Sequence, residues 1–365
     1  MKSKILITAG HAGSTAYALI TTIKKYMPEC ELVFVGSESA IEGSKIPTLE
    51  NTYFPKIGVS YIKIIMGRIQ RKFTLWTVPS ILKIPIGFFH AFFILHKVKP
   101  RVIVSFGGFS AFPIVVVGRI LRVPVIIHEQ TAAAGRANQL SAYFANVIAL
   151  SHKESMKYFP SKKCQVVGNP ISSEVVMCKN KKEDIRKHAI LITGGSRGSK
   201  IINNCVKNIL SQLLKHFTIY HQTGYGDFER FHNLSLKLND SIKRRYYPFA
   251  TVEMWNWYKY LRDSDFIISR SGANIVSEAT YLKMPAIYIP LSISYKDEQT
   301  KNALIAEKVG LAQIIAEDEL TEKKIIEKVN YISKNWDVII KNAKSPQVDD
   351  SKASYKLYKL VSKYA

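Results

Sequence analysis

Cysteine is scarce in this 365-residue chain, and Cys30, Cys164, Cys178 and Cys205 form no CxxC pair. That spacing signals neither a zinc knuckle nor a disulfide framework, and it fits a reduced cytosol. Long apolar runs are missing too. The most apolar stretch, Ile84 to Leu95, is broken by Pro85, Gly87 and His90 and falls far short of the roughly 20 residues a spanning helix needs. Ile5 to Ile7 gives way at once to Gly10 and His11, so it reads as a first strand and not as the apolar part of a signal peptide. No low-complexity segment occurs. Acidic residues are few: 28 Asp and Glu stand against 52 Lys and Arg, a formal charge of +24. Such an excess points to nucleic acid, an anionic membrane surface or a phosphorylated substrate, or reflects a lysine-biased composition. The lysines are spread along the whole chain, and no basic block alternates with stacking aromatics, which argues against nucleic acid.

What the chain does have is two glycine-bearing turns about half its length apart. Ile5-Leu6-Ile7-Thr8-Ala9-Gly10-His11-Ala12-Gly13-Ser14 opens the chain, and Ile190-Leu191-Ile192-Thr193-Gly194-Gly195-Ser196-Arg197-Gly198-Ser199 stands near its middle. In each, a β-branched run ends in small residues that let backbone approach a ligand, and a helix then opens with unpaired N–H groups that favour anions. Length and a 47% hydrophobic content allow two domains, each with its own core. Further strands read at Glu31 to Gly36, Val102 to Phe106, Val123 to His128, Val147 to Leu150 and Gln165 to Val167. A second series reads at Ala189 to Thr193, Phe217 to His221, Phe266 to Ser269 and Ala286 to Ile289. Gly168-Asn169-Pro170 and the charged stretch Lys179 to Lys187 place a linker near 169 to 187. The expected fold is therefore α/β, two Rossmann-like doubly wound parallel-sheet domains facing a cleft. The divisions are 1–170, 171–345 and a closing segment, 346–365. Ser351 to Tyr364 has the spacing of an amphipathic helix, which either caps the second domain or crosses back to the first.

Three segments carry chemistry. Asp265 to Ala279 is a strand, a small-residue turn and a helix start, in which Ser271, Gly272 and Ala273 leave the helix N-terminus open to a diphosphate. Glu278, further along that helix, could accept both hydroxyls of a ribose, or be no more than a helix-face charge. Asp297 to Ala303 packs polar side chains into one turn, where the Gln299 amide could read sugar hydroxyls or form a solvated helix start. Ser105 to Ser110 and His128 to Gly135 both follow strand ends, where open α/β sheets bind ligands. His128 beside Glu129 is a candidate acid/base or acceptor-positioning pair, and His11, at the tip of the first loop, is the better-placed candidate base.

The order of these motifs resembles the lipid-I N-acetylglucosaminyltransferases of peptidoglycan synthesis. The resemblance spans nearly the whole chain and rests on Ala9-Gly10-His11, Phe106-Gly107-Gly108-Phe109, His128-Glu129-Gln130 with Ala134-Gly135 and Asn138, and Gly168-Asn169-Pro170. It continues through Gly194-Gly195-Ser196-Arg197-Gly198, His221-Gln222-Thr223-Gly224, Arg270-Ser271-Gly272-Ala273 with Ser277-Glu278, and Asp297 to Ala303. It implies a GT-B type fold whose C-terminal half binds UDP-GlcNAc and whose N-terminal half binds lipid I, the undecaprenyl-diphosphate-linked muramyl peptide. On the donor side it implies Gly194, Gly195, Ser196, Arg197, Ala250, Arg270, Ser271, Gly272 and Ala273 around the nucleotide. Glu278 would hold the ribose, and Gln299 and Asn302 the GlcNAc hydroxyls. On the acceptor side it implies Gly10, Gly13, Gly107, Gly108, Phe109, Thr131 and Asn138, with His11, His128 and Glu129 as the catalytic set.

The reaction implied is inverting transfer of GlcNAc to the muramyl sugar, giving lipid II, with no metal and no other cofactor. Helix N-termini at the glycine turns, together with Arg197 and Arg270, would stabilise the departing UDP. The chain differs from the family's usual pattern in a shorter first loop, in Thr131 where Asn is usual, in Ser172 where Arg is frequent, and in Arg197 where Gln is usual. A UDP-GlcNAc 2-epimerase, a transferase with another lipid acceptor, and a non-enzymatic basic binding protein are the alternatives.

The lipid nature of that acceptor implies a peripheral protein at the cytoplasmic face of the cell membrane. Ile64, Ile65, Leu75, Trp76, Ile84, Phe88, Phe89, Phe92 and Phe93 interleave with Lys63, Arg68, Arg71, Lys72 and Lys83. Such a mixture suits a face that dips into anionic headgroups, or the core packing of two helices.

Overall fold

The computed structural model describes residues 3–10, 12–39, 47–67, 77–179 and 188–365, with backbone only for 77–81. Two compact units divide the chain: one runs through Ser173 and takes in Val348–Ala365, and the other is Glu174–Gln347.

In the first unit, β1 (Lys4–Thr8), α1 (Gly13–Tyr26), β2 (Glu31–Gly36), α2 (Leu49–Tyr53), β3 (Ser60–Lys63), α3 (Thr77–Val98) and β4 (Val102–Ser105) are followed by α4 (Ala111–Ile120), β5 (Val125–Glu129), α5 (Arg136–Ser141), β6 (Val147–Leu150) and β7 (Cys164–Val166). The strands form one sheet in the order β3-β2-β1-β4-β5-β6-β7, and every pairing is parallel. Runs such as Val102-Ile103-Val104 and Val125-Ile126-Ile127 are fully buried. Parallel strands covered on both faces demand this continuous apolar character. One face packs Leu6, Ile103, Ile127 and Ile148 against Ala91, Leu95 and Ile114 of the helices.

The second unit repeats the scheme. After α6 (Ser173–Cys178) come β8 (Ala189–Thr193), α7 (Lys200–Leu213), β9 (Thr218–Gln222), α8 (Phe228–Leu236), α9 (Asp240–Lys243), β10 (Tyr246–Phe249) and α10 (Trp257–Arg262). β11 (Phe266–Ser269), α11 (Ala273–Tyr281), β12 (Ala286–Tyr288), α12 (Glu298–Lys308), β13 (Ala312–Ile314) and α13 (Glu322–Asn342) complete it. Its sheet runs β10-β9-β8-β11-β12-β13, again all parallel.

In both sheets the strand order reverses beside the first strand of the unit, between β1 and β4 and between β8 and β11. Open α/β sheets bind ligands at that switch, outside the carboxyl ends of the strands. The two glycine turns lie there because β1 and β8 lead into them.

Three strands were not legible in the sequence: β3, β10 and β13. Each is the outermost strand on its side of a sheet and keeps exposed or half-exposed positions. These strands are buried less, so they do not carry the apolar run that marked the central strands; β7, also at an edge, was legible all the same at Gln165 to Val167.

The final helix, α14 (Ala353–Val361), belongs to the first unit. Tyr26 of α1 stacks on Tyr358 and tilts against Tyr355, with ring centroids 5.2 Å apart in both pairs. Just ahead of the helix, the Asp350 carboxylate accepts a hydrogen bond from the Asn169 N–H at 2.9 Å, and the Ser354 hydroxyl donates to the Ile171 carbonyl.

Candidate active site

In the second unit the turn after β8 is a close backbone fit. A Cβ on Gly198 would stand 1.9 Å from the Thr223 carbonyl oxygen, and one on Gly224 would stand 2.2 Å from the Arg197 carbonyl oxygen. Both glycines have positive φ, so only glycine serves at this crossing. Gly194 is pressed against Ser199 in the same way. Gly195 donates its N–H to the Thr193 hydroxyl at 2.9 Å, and that hydroxyl in turn donates to Gln222. Ser196 and Arg197 remain exposed at the tip. The facing loop is braced from behind: the His221 ring bonds to Tyr246 and Asn203, and the Asn203 amide donates to the Thr223 carbonyl and to Asp227. Burial lowers the His221 pKa to about 3, so this ring is a neutral structural member. Ala250, at the end of β10, accepts the Gly224 N–H.

Ser269 pairs in register with Thr193, so the turn after β11 lies beside the glycine turn. Gly272 caps α11 without any side-chain hydrogen bond, and nothing stands within 4 Å of where its Cβ would be. Ala273 begins the helix, and no side chain caps its start, an arrangement whose first N–H groups favour an anion. Ser271 is buried and donates to the Gln299 carbonyl; Asn302 donates to the Ser271 carbonyl. The Gln299 side chain accepts the Leu291 N–H. Asn302 keeps a buried amide oxygen with no partner among the described residues.

Glu278 lies in α11 and is only 6% exposed. One carboxylate oxygen accepts the indole N–H of Trp257 at 2.8 Å. Burial raises its pKa to about 7, against the pull of that bond. Tyr288, on the neighbouring β12, is fully buried with a hydroxyl that has no partner among the described residues.

Arg270 does not provide the free positive charge expected of it. One guanidinium nitrogen donates to the Ile289 and Pro290 carbonyls, and another pairs with Glu317. The Glu317 carboxylate also accepts the Ser292 N–H at 3.0 Å. Arg270 therefore acts as a neutralised brace for the loop after β12.

In the first unit the corresponding junction is built from glycine against glycine. The Gly10 N–H donates to the Gly107 carbonyl at 2.8 Å, and a Cβ on Gly108 would stand 2.6 Å from the Gly10 Cα. A Cβ on Gly107 would meet the Asn138 amide at 2.6 Å. His11 lies outside the described residues. Gly13 begins α1, whose capping residue Ala12 has no side chain able to accept a bond. The buried Glu50 fills that role, accepting the Ala12 N–H at 3.2 Å. This helix start already holds a carboxylate, which opposes the anion binding expected there.

His128 and Glu129 are adjacent on β5, so their side chains point to opposite faces of the sheet and do not share a proton. Both oxygens of the Glu129 carboxylate are occupied within its own loop. They accept from the Thr131 N–H and hydroxyl, the Gly135 N–H and the Asn138 amide, at 2.8 to 2.9 Å. Thr131 and Asn138 are thereby tied to the loop, and Asn138 also donates to the His128 carbonyl. The His128 ring is fully buried, packs against Phe106 and bonds to the Gly168 carbonyl at 3.0 Å. Burial lowers its pKa to about 4, so it is neutral near pH 7. Phe109 follows the glycine pair at the start of the α4 connection, half-buried.

Trp257, Tyr288, Glu317 and Glu50 escaped the sequence reading. Trp257, Glu317 and Glu50 reach their partners from a different element, and Tyr288 lies on a neighbouring strand, so no local pattern marks them. Among the described residues no three His, Cys, Asp or Glu side chains gather as a metal site would require.

Residues 8–150 match the glycosyltransferase family 28 N-terminal domain, and residues 189–359 match the glycosyltransferase family 28 C-terminal domain. The chain is 32% identical over 374 residues to a UDP-N-acetylglucosamine--N-acetylmuramyl-(pentapeptide) pyrophosphoryl-undecaprenol N-acetylglucosamine transferase of Clostridium botulinum, covering 100% of this chain and 99% of that one. Against the protein of the same name from Clostridium kluyveri it is 33% identical over 376 residues, with 100% of both chains covered. Among solved structures, the crystal structure of Acinetobacter baumannii MurG has a TM-score of 0.68 at 24% identity, with 99% of each chain covered. A UDP-GlcNAc 2-epimerase from Neisseria meningitidis, solved bound to UDP-GlcNAc, has a TM-score of 0.63 at 14% identity, covering 99% of this chain and 100% of that one. At such identities these two structures bear on fold alone. The full-length sequence matches bear on family: the chain belongs to glycosyltransferase family 28, among the lipid-I N-acetylglucosaminyltransferases.

Proposed function

We propose that the protein transfers N-acetylglucosamine from UDP-GlcNAc to the muramyl sugar of undecaprenyl-diphosphate-linked lipid I, yielding lipid II for peptidoglycan synthesis. The observation that carries this reading is the uncapped start of α11 beside the glycine turn, with the buried carboxylate of Glu278 further along the same helix. Open N–H groups and the exposed Ser196 and Arg197 suit a diphosphate, and a carboxylate suits a pair of ribose hydroxyls. Gln299 and Asn302 are then the residues assigned to the GlcNAc hydroxyls, with Ser271 tying their helix to the nucleotide turn.

In the transfer, a base takes the proton of the acceptor 4-hydroxyl as that oxygen attacks the anomeric carbon. The bond from that carbon to the β-phosphate oxygen breaks with inversion, and UDP leaves toward the donors at the α11 start. His11 is the residue assigned as base. Glu129, committed to its loop, and His128, neutral and buried, position the acceptor loop through Thr131 and Asn138. Gly107, Gly108 and Phe109 complete that surface.

The protein acts at the cytoplasmic membrane surface without spanning it. Among the described residues no helix is long and apolar enough to cross a membrane. In α3, Leu82, Ile86, Phe89, Phe92 and Phe93 are 44 to 70% exposed, beside Lys83, His90, His96 and Lys97. Ile64 and Phe88 instead pack in or against the core, while Arg68, Arg71, Lys72, Leu75 and Trp76 lie outside the described residues. A basic protein with such a ridge suits anionic lipid.

Incubation with UDP-GlcNAc and a lipid-I analogue tests the reading. UDP release with formation of a disaccharide lipid is expected. Conversion of UDP-GlcNAc to its 2-epimer without any acceptor would select the epimerase instead.

A further inference from the structure

We propose that Trp257 is a positioning residue for Glu278: its indole N–H holds the carboxylate in the orientation that accepts two ribose hydroxyls, and so sets a preference for ribonucleotides over deoxyribonucleotides. The inference rests on the reading that Glu278 binds the donor's ribose.

Glu278 projects from α11, and Trp257 is the first residue of α10, on the other side of β11 in sequence. The 2.8 Å bond between them is the contact that orients the carboxylate among the described residues. Without it the terminal torsion of a glutamate is broad and the group turns easily. An indole N–H donates and never accepts, so it takes one lone pair of the carboxylate and leaves the others to incoming hydroxyls. It also favours the charged form in a place where burial favours the neutral one.

Trp257 is itself held. Its ring lies 6.4 Å from Tyr260, which stacks on Phe249 at 4.3 Å and meets Tyr220 edge-on at 5.6 Å. Phe249 and Tyr220 sit on β10 and β9, so the frame that fixes the indole is anchored in the sheet. Leu261, in the same short helix, is fully buried. The donor is thereby fixed before any nucleotide arrives, which is what lets one bond set a geometry.

A fixed, charged carboxylate rewards two hydroxyls on adjacent carbons. One free to turn, or protonated, satisfies a single hydroxyl nearly as well, and discrimination shrinks.

Calorimetry with UDP and 2′-deoxy-UDP on the full-length chain tests this. The unmodified protein is expected to prefer UDP by about tenfold, the scale of one charge-assisted hydrogen bond. Glu278→Ala should abolish that preference. Trp257→Phe should cut it severalfold and raise KM for UDP-GlcNAc, leaving kcat nearly unchanged. Trp257→His, which restores a ring N–H, should recover part of it, and Trp257→Leu replaces Trp257→Phe if that variant does not fold. An undiminished preference in a folded donor-free variant overturns the role of Trp257 while leaving the ribose reading intact. An undiminished preference in Glu278→Ala overturns the ribose reading, and the inference with it.

Discussion

The carboxylate of Glu50 accepts a hydrogen bond from the backbone N–H of Ala12, although 38 residues separate them in the chain. Helix α1 lacks a capping side chain of its own, so α2 supplies one from outside. Glu50→Ala should therefore destabilise the first unit by about 1–2 kcal/mol, the usual scale of a lost cap or a buried N–H left unpaired. Glu50→Gln should lose less, because an amide oxygen still accepts. Thermal unfolding reads the difference, and equal melting temperatures for all three proteins would refute the capping role.

Glu278 should make stability depend on pH and, on the proposed ribose contact, UDP-GlcNAc binding too. Its carboxyl is raised from an ordinary value near 4.5 to about 7 by burial. Below pH 4.5 folded and unfolded chains both hold the proton and its contribution to stability is complete. As pH rises toward 7 the unfolded chain releases the proton first, and stability is lost, on the order of 3 kcal/mol at full ionisation. Glu278→Gln should remove this slope in urea titrations across that window.

The same titration acts in the opposite sense on the ligand. The charged carboxylate is the better acceptor for hydroxyls, so UDP-GlcNAc affinity should rise about fivefold as pH climbs through 7. The sugar nucleotide suits this measurement because its diphosphate has no free terminal phosphate to titrate there. An affinity flat with pH in the unmodified protein would remove the ribose contact from the reading.

Gly198 meets the Thr223 carbonyl so closely that a methyl group has no room, and its backbone is left-handed. Gly198→Ala should push the two loops apart and weaken UDP binding at least about tenfold. The positive φ alone costs about 1 kcal/mol, and the clash adds to it. Gly272→Ala is the control. Its Cβ would enter open space, so the fold should be unaffected, and any loss of UDP affinity would report directly on the α11 start.

Phe89 and Phe93 are 70% and 65% exposed on α3. Replacing both with Ser should leave the melting temperature unchanged, since little of either side chain is buried. Co-sedimentation with anionic vesicles should fall by at least about tenfold, because each ring inserted into lipid contributes on the order of 1–2 kcal/mol. Undiminished sedimentation would move the membrane contact elsewhere.

Both sheets were legible in their central strands. Ile5-Leu6-Ile7 and Ile190-Leu191-Ile192 are buried on both faces, so their apolar runs are continuous, whereas β3, β10 and β13 lie at edges and lack that mark. The glycine turns were legible for a similar reason: positive φ and close crossings exclude other residues, and the need shows in the composition. The partners of the charged groups were not. Nothing beside Arg270 in the chain names Glu317, and nothing beside Glu129 says that four hydrogen bonds from its own loop will occupy it.

From its order of residues alone, this protein was bound to two parallel sheets, a glycine turn after the first strand of each, and a helix that starts on Gly272 without a side-chain cap. Those features follow from local rules, the burial period of a strand and the φ freedom of glycine. The folded chain alone decided which charges stay free. Arg270 became a brace, Glu50 a cap and Glu129 a loop clasp, while Glu278 came to rest against Trp257. Charge pairing is settled by distance in space, and elements far apart in the chain set that distance only once they have packed.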